Sequence, residues 1–425
     1  MLTKLKSLFR KTAAYHQYKI LRARYASARY GSPSKDMFVI GITGTNGKTT
    51  TSFMIHHIFN RLIDKAMLLG TNAIKYGEET HINTTKMTSP DALDIQKTLA
   101  QAKAKWCYIA VLEVASHALT QHRFHGMQFD MGVLTNITPE HLDYHKTMDE
   151  YAVTKKQLFT MVLHNQKNNK MAVLPKDDKY AKHWVEDLAI EKTLTFGLIS
   201  WGTLTATSIQ NFADHTVFDV EYMSKGYAMS LPMAWSHNIY NLLAALAAGL
   251  LVGLDMQAMI DTMQDFEAPL GRMEVIKHRE VSYFVDFAHT PDALDKTLSY
   301  LRSIKKDWRV LVLTWAMGGR DSYKRPDMGR LADEYADIIV LSDEDPDQES
   351  RYNIFQDIRA GIRRTDGDKF YIIPDRRKAI RFLTEIAEPG DLVLLAGKWH
   401  ETVMSVPSGR IEWNERKILE WYLHQ

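Results

Sequence analysis

Gly41-Ile42-Thr43-Gly44-Thr45-Asn46-Gly47-Lys48-Thr49-Thr50-Thr51 decides how this chain is read. The apolar run Met37-Phe38-Val39-Ile40 before it predicts a buried parallel strand, and Ser52 to Phe59 after it has helical spacing. A glycine-rich turn between strand and helix is where backbone amides, the helix dipole and a lysine cradle phosphate. Strict nucleotide-loop spacing places a glycine five residues before Gly47. That position is Ile42, so the loop is a variant form.

Working outward, 425 residues exceed the usual size of one core and predict two or three domains. Hydrophobic content of 45% and charged content of 24% describe an ordinary globular chain. The single cysteine, Cys107, excludes an internal disulfide or a cysteine-based zinc site and fits a reducing, cytoplasmic setting. The longest apolar run, Leu242 to Leu254, is too short to span a bilayer. The net charge of +2 conceals an asymmetry. Residues 1–30 hold eight Lys/Arg and no acid, against 45 basic and 51 acidic residues in the remainder.

That basic segment has helical spacing over 2–29 and ends at Gly31-Ser32-Pro33. It reads either as a helix packed on the body or as a surface for peripheral membrane contact through cations and aromatics. From 37 to about 268, strands and helices alternate, with strands expected at 37–42, 106–114, 130–135, 171–174 and 194–197. Residues 201–231 alternate like antiparallel edge strands. A second α/β unit begins near Pro269, with strands expected at 282–287, 309–314, 337–341, 369–373 and 391–396. The expected domains are a basic helix (1–35), a central unit (36–268) and a C-terminal unit (269–425). Ligands in open α/β sheets sit at the carboxyl ends of strands, so the polar clusters there are expected to converge on an interdomain cleft.

Two clusters carry chemistry. Strand 106–114 ends in Glu113, followed by Val114-Ala115-Ser116-His117; a carboxylate at a strand tip beside a phosphate loop suits Mg²⁺. Strand 130–135 runs into Asn136-Ile137-Thr138-Pro139-Glu140-His141-Leu142-Asp143-Tyr144-His145. Two acids and two histidines in six residues suggest a second metal or substrate site, or a polar loop with a helix cap.

In order and spacing, Gly44 to Thr50, the Glu113 cluster and Thr135 to Asp143 resemble the Mur ligase family. His237-Asn238-Ile239-Tyr240-Asn241, Gly271-Arg272-Met273-Glu274, Asp286 to Leu294, Lys324 to Gly329 and Ala396 to Glu401 agree, and the later pieces resemble the MurE type. The implied fold is a central P-loop ATPase domain with a mostly parallel sheet plus a C-terminal Rossmann-like α/β domain. The implied activity is ATP-dependent, ADP-forming amide ligation through an acyl phosphate, adding an amino acid to a muramoyl-dipeptide precursor of peptidoglycan.

By the same resemblance, Gly44, Thr45, Asn46, Gly47, Lys48, Thr49 and Thr50 bind ATP phosphates, with Lys48 in direct contact. Thr49 and Glu113 hold one Mg²⁺. His141 holds a second, supported by Lys155 carrying a CO₂-derived carbamate. Asn241 corresponds to an adenine contact, Arg272 to a phosphate contact, Asp286 to a ribose contact and His289 to a nucleotide-side residue. Thr88, Ser89, Ser116, His117, Gln121 and Arg123 correspond to positions handling the muramoyl-peptide. Arg325, Asp345, Asp347, Gly397 and Glu401 correspond to positions for the incoming amino acid.

Three departures qualify these expectations. About forty residues precede the loop where MurE-type enzymes carry a UDP-reading domain, so a UDP-linked or a lipid-linked acceptor are both open. Asp347 stands where an arginine pairs with the distal carboxylate of diaminopimelate, which favours a basic amino acid such as lysine. Trp399 replaces a glycine, and an indole there is expected to narrow that pocket or reshape its loop. Other readings are a folate- or cyanophycin-type ligase and a non-catalytic ATP-binding scaffold. A nucleic-acid partner has no support, and a monomer is favoured.

Overall fold

The computed structural model describes residues 13–425 apart from 86, 200–201, 213–214, 234–235, 270–273, 287, 306, 320–321, 347, 399–402 and 407–408. Residues 1–12 of the basic segment, Arg272, Asp347, Trp399 and Glu401 therefore lie outside the described residues. Two compact units divide the chain. One holds residues up to Gln210, Val217–Pro232 and Ser236–Glu267; the other holds Asn211–Thr216, Met233–Trp235 and Ala268–Gln425.

The first unit is built on an eleven-stranded sheet. Its strands are β1 (Phe38–Thr43), β2 (Ala66–Leu69), β3 (Ala73–Tyr76), β4 (Glu79–Ile82), β5 (Ile109–Glu113), β6 (Met131–Leu134), β7 (Met171–Pro175), β8 (Lys192–Gly197), β9 (Leu204–Asn211), β10 (Thr216–Tyr222) and β11 (Lys225–Leu231). The spatial order is β11-β10-β9-β8-β7-β6-β1-β5-β2-β3-β4. The central strands β1, β5 and β6 are apolar on both faces, as a parallel strand covered by helices requires. Parallel register sets Ile42 opposite Glu113 and Thr43 opposite Leu134. The chain leaves β1 through the helix Lys48–Leu62 toward β2 and later returns to β6 on the opposite side. The loops after β1, β5 and β6 thus emerge side by side at a topological switch point, the position open α/β sheets use for ligands.

Two features of this sheet differ from the sequence expectation. The short strands β2, β3 and β4 were not anticipated; β3 pairs antiparallel with both β2 and β4. The alternating stretch 201–231 does form the far edge, but β9 enters it parallel to β8. The helix Ala13–Arg29 packs through Ala23 and Ala26 against Ala92, small residues that allow close approach. No described helix is long and apolar enough to cross a membrane.

The second unit carries β12 (Glu274–His278), β13 (Val281–Asp286), β14 (Val310–Thr314), β15 (Ile338–Leu341), β16 (Phe370–Ile372) and β17 (Leu392–Ala396), ordered β12-β13-β17-β14-β15-β16. Among the described pairs of this sheet, β12 with β13 is antiparallel and the rest are parallel. Alternation divides its strands between two cores. Val310, Val312, Leu392 and Leu394 enter one, and Leu311, Leu313, Val393 and Leu395 the other. A hairpin, β18 (Val403–Val406) and β19 (Gly409–Glu412), precedes the final helix Glu415–Leu423.

Candidate active site

The glycine loop between β1 and the helix Lys48–Leu62 is strapped to the loop after β6. Thr135 Oγ1 donates to the Asn46 carbonyl at 2.6 Å, and the Asn46 amide donates to Asn136 Oδ1 at 3.0 Å. Thr45 Oγ1 donates to the Thr138 carbonyl at 3.1 Å while accepting from the Thr138 amide at 3.0 Å. Two glycines are required by position. Gly44 has φ +148° and Gly47 φ +84°, and a Cβ would lie 1.8 Å from Thr135 Oγ1 or 2.1 Å from Asn241 Oδ1 respectively. Lys48 Nζ folds over the turn, donating to the Gly44 and Thr45 carbonyls at 2.9 and 2.8 Å. Thr50 is buried in the first turn of the helix.

Glu113, at the tip of β5, is 1% exposed. Its carboxylate accepts from Thr49 Oγ1 at 3.0 Å, the Thr71 amide at 2.8 Å and Thr71 Oγ1 at 2.8 Å. Thr71 Oγ1 also lies 3.1 Å from Thr88 Oγ1, linking this carboxylate to an expected substrate position. Thr71 had no sequence signal: only the pairing of β2 with β5 carries it there. Thr49 and Glu113 offer hard oxygen donors, which fit Mg²⁺; that ion takes one or two protein ligands and fills its shell with phosphate and water. The described residues accordingly contain no ready-made cluster of three His, Cys, Asp or Glu.

Lys155, on the helix Met148–Leu163, is 1% exposed. Its Nζ donates to the Gly44 carbonyl at 2.6 Å and lies 4.3 Å from the centre of the Tyr151 ring. Burial first, then the Lys48 ammonium, push its pKa well down, with Glu140 opposing. The amine is thereby biased toward its neutral, nucleophilic form. Tyr151 is raised by burial and lies 3.3 Å from Thr45 Oγ1; it is a second residue the sequence reading did not single out.

His141 sits in left-handed backbone (φ +57°), with Nε2 3.7 Å from Glu140 Oε2 and its ring edge-on to His117 at 4.6 Å between centroids. His145 Nε2 lies 3.0 Å from Ser116 Oγ. Ser89 Oγ donates to the Glu113 carbonyl and accepts the Ala115 amide. Arg123 donates to the Ser89 carbonyl and to Gln121 Oε1. Thr88, Ser89, Ser116, His117, Gln121 and Arg123 thus form one connected strip beside the loop. Asn241, expected at adenine, lies 4% exposed behind the loop, accepting from Thr51 Oγ1 and donating to Asn238 Oδ1. Its observed contacts buttress Gly47.

In the second unit Asp286 ends β13 and accepts the Ala288 amide, with half-buried His289 in the following turn. Gly397 has φ +103°, and a Cβ there would fall 1.4 Å from Trp315 Nε1. Asp345 accepts from Lys398 Nζ at 2.8 Å and the Ser405 amide at 2.6 Å. Arg325, expected at the incoming amino acid, is engaged within its own unit in this structure. It is 1% exposed, and its terminal nitrogens are taken by Glu349 at 2.7 Å, Asp357 at 2.8 Å and the Met317 carbonyl at 2.8 Å. A guanidinium so engaged ties together the segments that carry Met317, Glu349 and Asp357.

Comparison with known proteins agrees with this geometry. Residues 42–249 match the Mur ligase middle domain, and residues 271–399 match the Mur ligase, glutamate ligase domain. A UDP-N-acetylmuramoyl-L-alanyl-D-glutamate–2,6-diaminopimelate ligase of Bacillus velezensis is 34% identical over 396 residues, 92% of this chain and 79% of that protein. The enzyme of that name from Geobacillus kaustophilus is 35% identical, over 92% and 80%. A solved structure of such a ligase superposes with TM-score 0.68 at 29% identity, covering 95% of this chain and 83% of that one. A folylpolyglutamate synthase of Mycobacterium tuberculosis, at 16% identity and TM-score 0.72, shares the fold alone. With a phosphate loop, a threonine–glutamate pair and a buried lysine joined at one switch point, and relatives matching along nearly the whole chain, the protein belongs to the Mur ligase family, MurE type, whose members are ATP-dependent, ADP-forming amide ligases.

Proposed function

We propose that this ligase joins an amino acid to a muramoyl-dipeptide precursor of peptidoglycan. Gly44 to Thr50 take the ATP phosphates, with Lys48 swinging from its loop carbonyls to phosphate oxygens. Thr49 and Glu113 hold one Mg²⁺, and His141 with Lys155 as a carbamate holds a second. Magnesium held by these residues would supply positive charge to the phosphate oxygens. The acceptor lies along Thr88, Ser89, Ser116, His117, Gln121 and Arg123. Its carboxylate oxygen attacks the γ-phosphorus as the bond to ADP breaks. The incoming amine then attacks the acyl carbon, loses a proton and expels phosphate. Such chemistry needs held reactants and neutralised charge more than protein nucleophiles. Asn241, Arg272, Asp286 and His289 serve the nucleoside and phosphate side, and Asp345, Asp347, Gly397 and Glu401 the amino acid.

The observation that carries this reading is Lys155, a buried amine 2.6 Å from the phosphate-loop carbonyl and biased toward neutrality. Neutral amine adds CO₂ to give a carbamate and a proton, converting a cation that would repel metal into an anion that binds it. The amino acid carries a second amine. The relatives are named for diaminopimelate, while Asp347 favours a side-chain ammonium without a distal carboxylate, as in lysine. Mass spectrometry of products from UDP-linked and lipid-linked muramoyl-dipeptides with a mixed amino-acid pool tests both points. The expected result is one new amide, with phosphate release requiring acceptor and amine together. ATP turnover without acceptor would sink the ligase reading; preference for diaminopimelate would sink lysine.

A cytoplasmic enzyme with peripheral membrane contact is a second element of the proposal. On the helix Ala13–Arg29, Tyr18, Leu21 and Tyr25 are 52%, 61% and 57% exposed at helical spacing, on a segment rich in cations. Binding to anionic vesicles should weaken when these three are replaced by serine; unchanged binding would remove this element.

A further inference from the structure

The helix Ala13–Arg29 lies beside the acceptor strip, and basic groups dominate its seam. Arg22 pairs with Asp91 at 2.9 Å. His16 Nδ1 lies 3.3 Å from His122 Nε2, and Arg24 Nε donates to His125 Nε2 at 3.2 Å. His122 and His125 are 6.5 Å apart between ring centroids and flank Arg123, whose guanidinium feels Asp91 and Tyr15. Six basic side chains therefore line this seam, and Asp91, engaged by Arg22, is the carboxylate that pairs with one of them.

Two of these contacts join groups that repel one another when both are protonated. Since Arg24 Nε is the donor, His125 Nε2 is an acceptor and its ring neutral. In the His16–His122 contact one ring donates and the other accepts, so the pair carries one proton fewer than it could. Burial, followed by neighbouring cations, holds both His122 and His125 below the usual imidazole range. The apolar docking of the helix rests elsewhere, on Ala23 and Ala26. An anion arriving from outside would let these histidines take up protons and turn from acceptors into donors.

We propose that this seam is an anion site, formed by His16, Arg24, His122 and His125, that takes the diphosphate joining the muramoyl-peptide to its carrier. It rests on the ligase reading above, which places the peptide on Ser89, Gln121 and Arg123. The flanking residues His122 and His125 then meet the end of the acceptor away from the peptide. Diphosphate is common to a nucleotide carrier and a lipid carrier, and the seam reads that shared group.

The test compares kcat/KM for UDP-linked, undecaprenyl-diphosphate-linked and carrier-free muramoyl-dipeptide. The wild-type chain should favour a diphosphate-linked acceptor over the carrier-free one by about tenfold or more, as charge-assisted contacts to phosphate imply. Which carrier shows the advantage identifies the source. In the double variant Arg24→Gln, His125→Asn that advantage should fall about tenfold, whereas Arg24→Lys should keep most of it. Each comparison is a ratio within one protein, so partial misfolding cancels. An advantage unchanged in the double variant, or absent from the wild type, overturns the diphosphate site while turnover itself upholds the ligase. Failure to turn over any acceptor removes the ligase reading and the diphosphate site together.

Discussion

The two units treat buried ionisable groups in opposite ways. In the first, Lys155 is pushed toward neutrality, and His56, on the helix after the phosphate loop, is held down to about 3 by burial and then by Lys75. In the second, buried cations are matched by carboxylates. Arg376 and Glu415, both 0% exposed, pair at 2.6 Å; Lys398 meets Asp345 at 2.8 Å; Arg325 meets Glu349 and Asp357. Full desolvation of an ion is tolerable only with a close partner and satisfied hydrogen bonds. Glu415 has both, since Trp413 Nε1 also donates to it at 2.8 Å. The second unit uses its buried charges for geometry, fixing the end of β17 through the Arg376 contact to the Ala396 carbonyl. The first holds an amine biased toward neutrality beside the phosphate loop. Asp130, 1% exposed, pairs with Lys167, so the first unit also matches a buried charge where a partner is in reach.

The largest effect should follow from breaking the Arg376–Glu415 pair on one side. Arg376→Met leaves Glu415 buried without its cation and should cost about 3–5 kcal/mol in urea unfolding. A loss below about 1 kcal/mol would mean that the pair is no strut. Lys155→Ala should instead leave stability nearly intact while lowering kcat about 10²-fold, the scale for removing one electrostatic group from a reaction centre. Added short carboxylates should restore part of the rate if a carbamate normally sits there. Lys155→Arg, which cannot lose its proton, should be at least as poor and resist that rescue. Rescue of both variants alike would argue against a carbamate.

The third effect is a pH dependence specific to the first unit. The folded-state pKa of His56 lies below the unfolded value of 6.5. The unfolded chain therefore takes up the proton first. Stability from the neutral ring is complete above pH 6.5 and is lost as pH falls toward 3, by up to about 1.4 kcal/mol per unit. Between pH 7 and 5.5 the first unit should lose ~1 kcal/mol, read from hydrogen exchange in the helix Lys48–Leu62. His56→Gln, able to keep a donor toward the Ala66 carbonyl, should flatten that slope. An equal slope in the variant would assign it to other groups.

Much of this organisation could be read from the chain before folding, and the limits have physical causes. β1, β5 and β6 are legible because strands covered on both faces are continuous apolar runs, and the phosphate loop because strand, glycines and lysine are adjacent in sequence. β2 to β4 are four residues each, too short for alternation to register. Thr71 meets Glu113 only through the order of the sheet, which local sequence does not encode. Arg325 illustrates the reverse. Its motif position suggests a substrate contact, yet Glu349 and Asp357, 24 and 32 residues further on, fill its guanidinium. A residue type at a motif position says what chemistry is available; the partners that long-range packing supplies decide whether it is free.

The smallest effect sharpens that last point. Arg325 holds the Glu349 carboxyl down to about 2, first through its hydrogen bonds, with the Gly319 amide assisting. A depressed folded-state pKa means stability is complete above the ordinary value of 4.5 and lost as pH falls toward 2. With the carboxylate partly solvated, screening reduces its worth to about 1 kcal/mol. Urea unfolding at pH 5 and pH 2.5 should show that much extra loss in the wild type relative to Glu349→Gln. The same substitution decides what Arg325 is for. If the arginine were a substrate cation merely parked on Glu349, releasing it should lower KM for the amino acid. If it is a strut, KM should stay level and stability at pH 5 should fall, which is the outcome its 1% exposure and doubled carboxylate contacts predict.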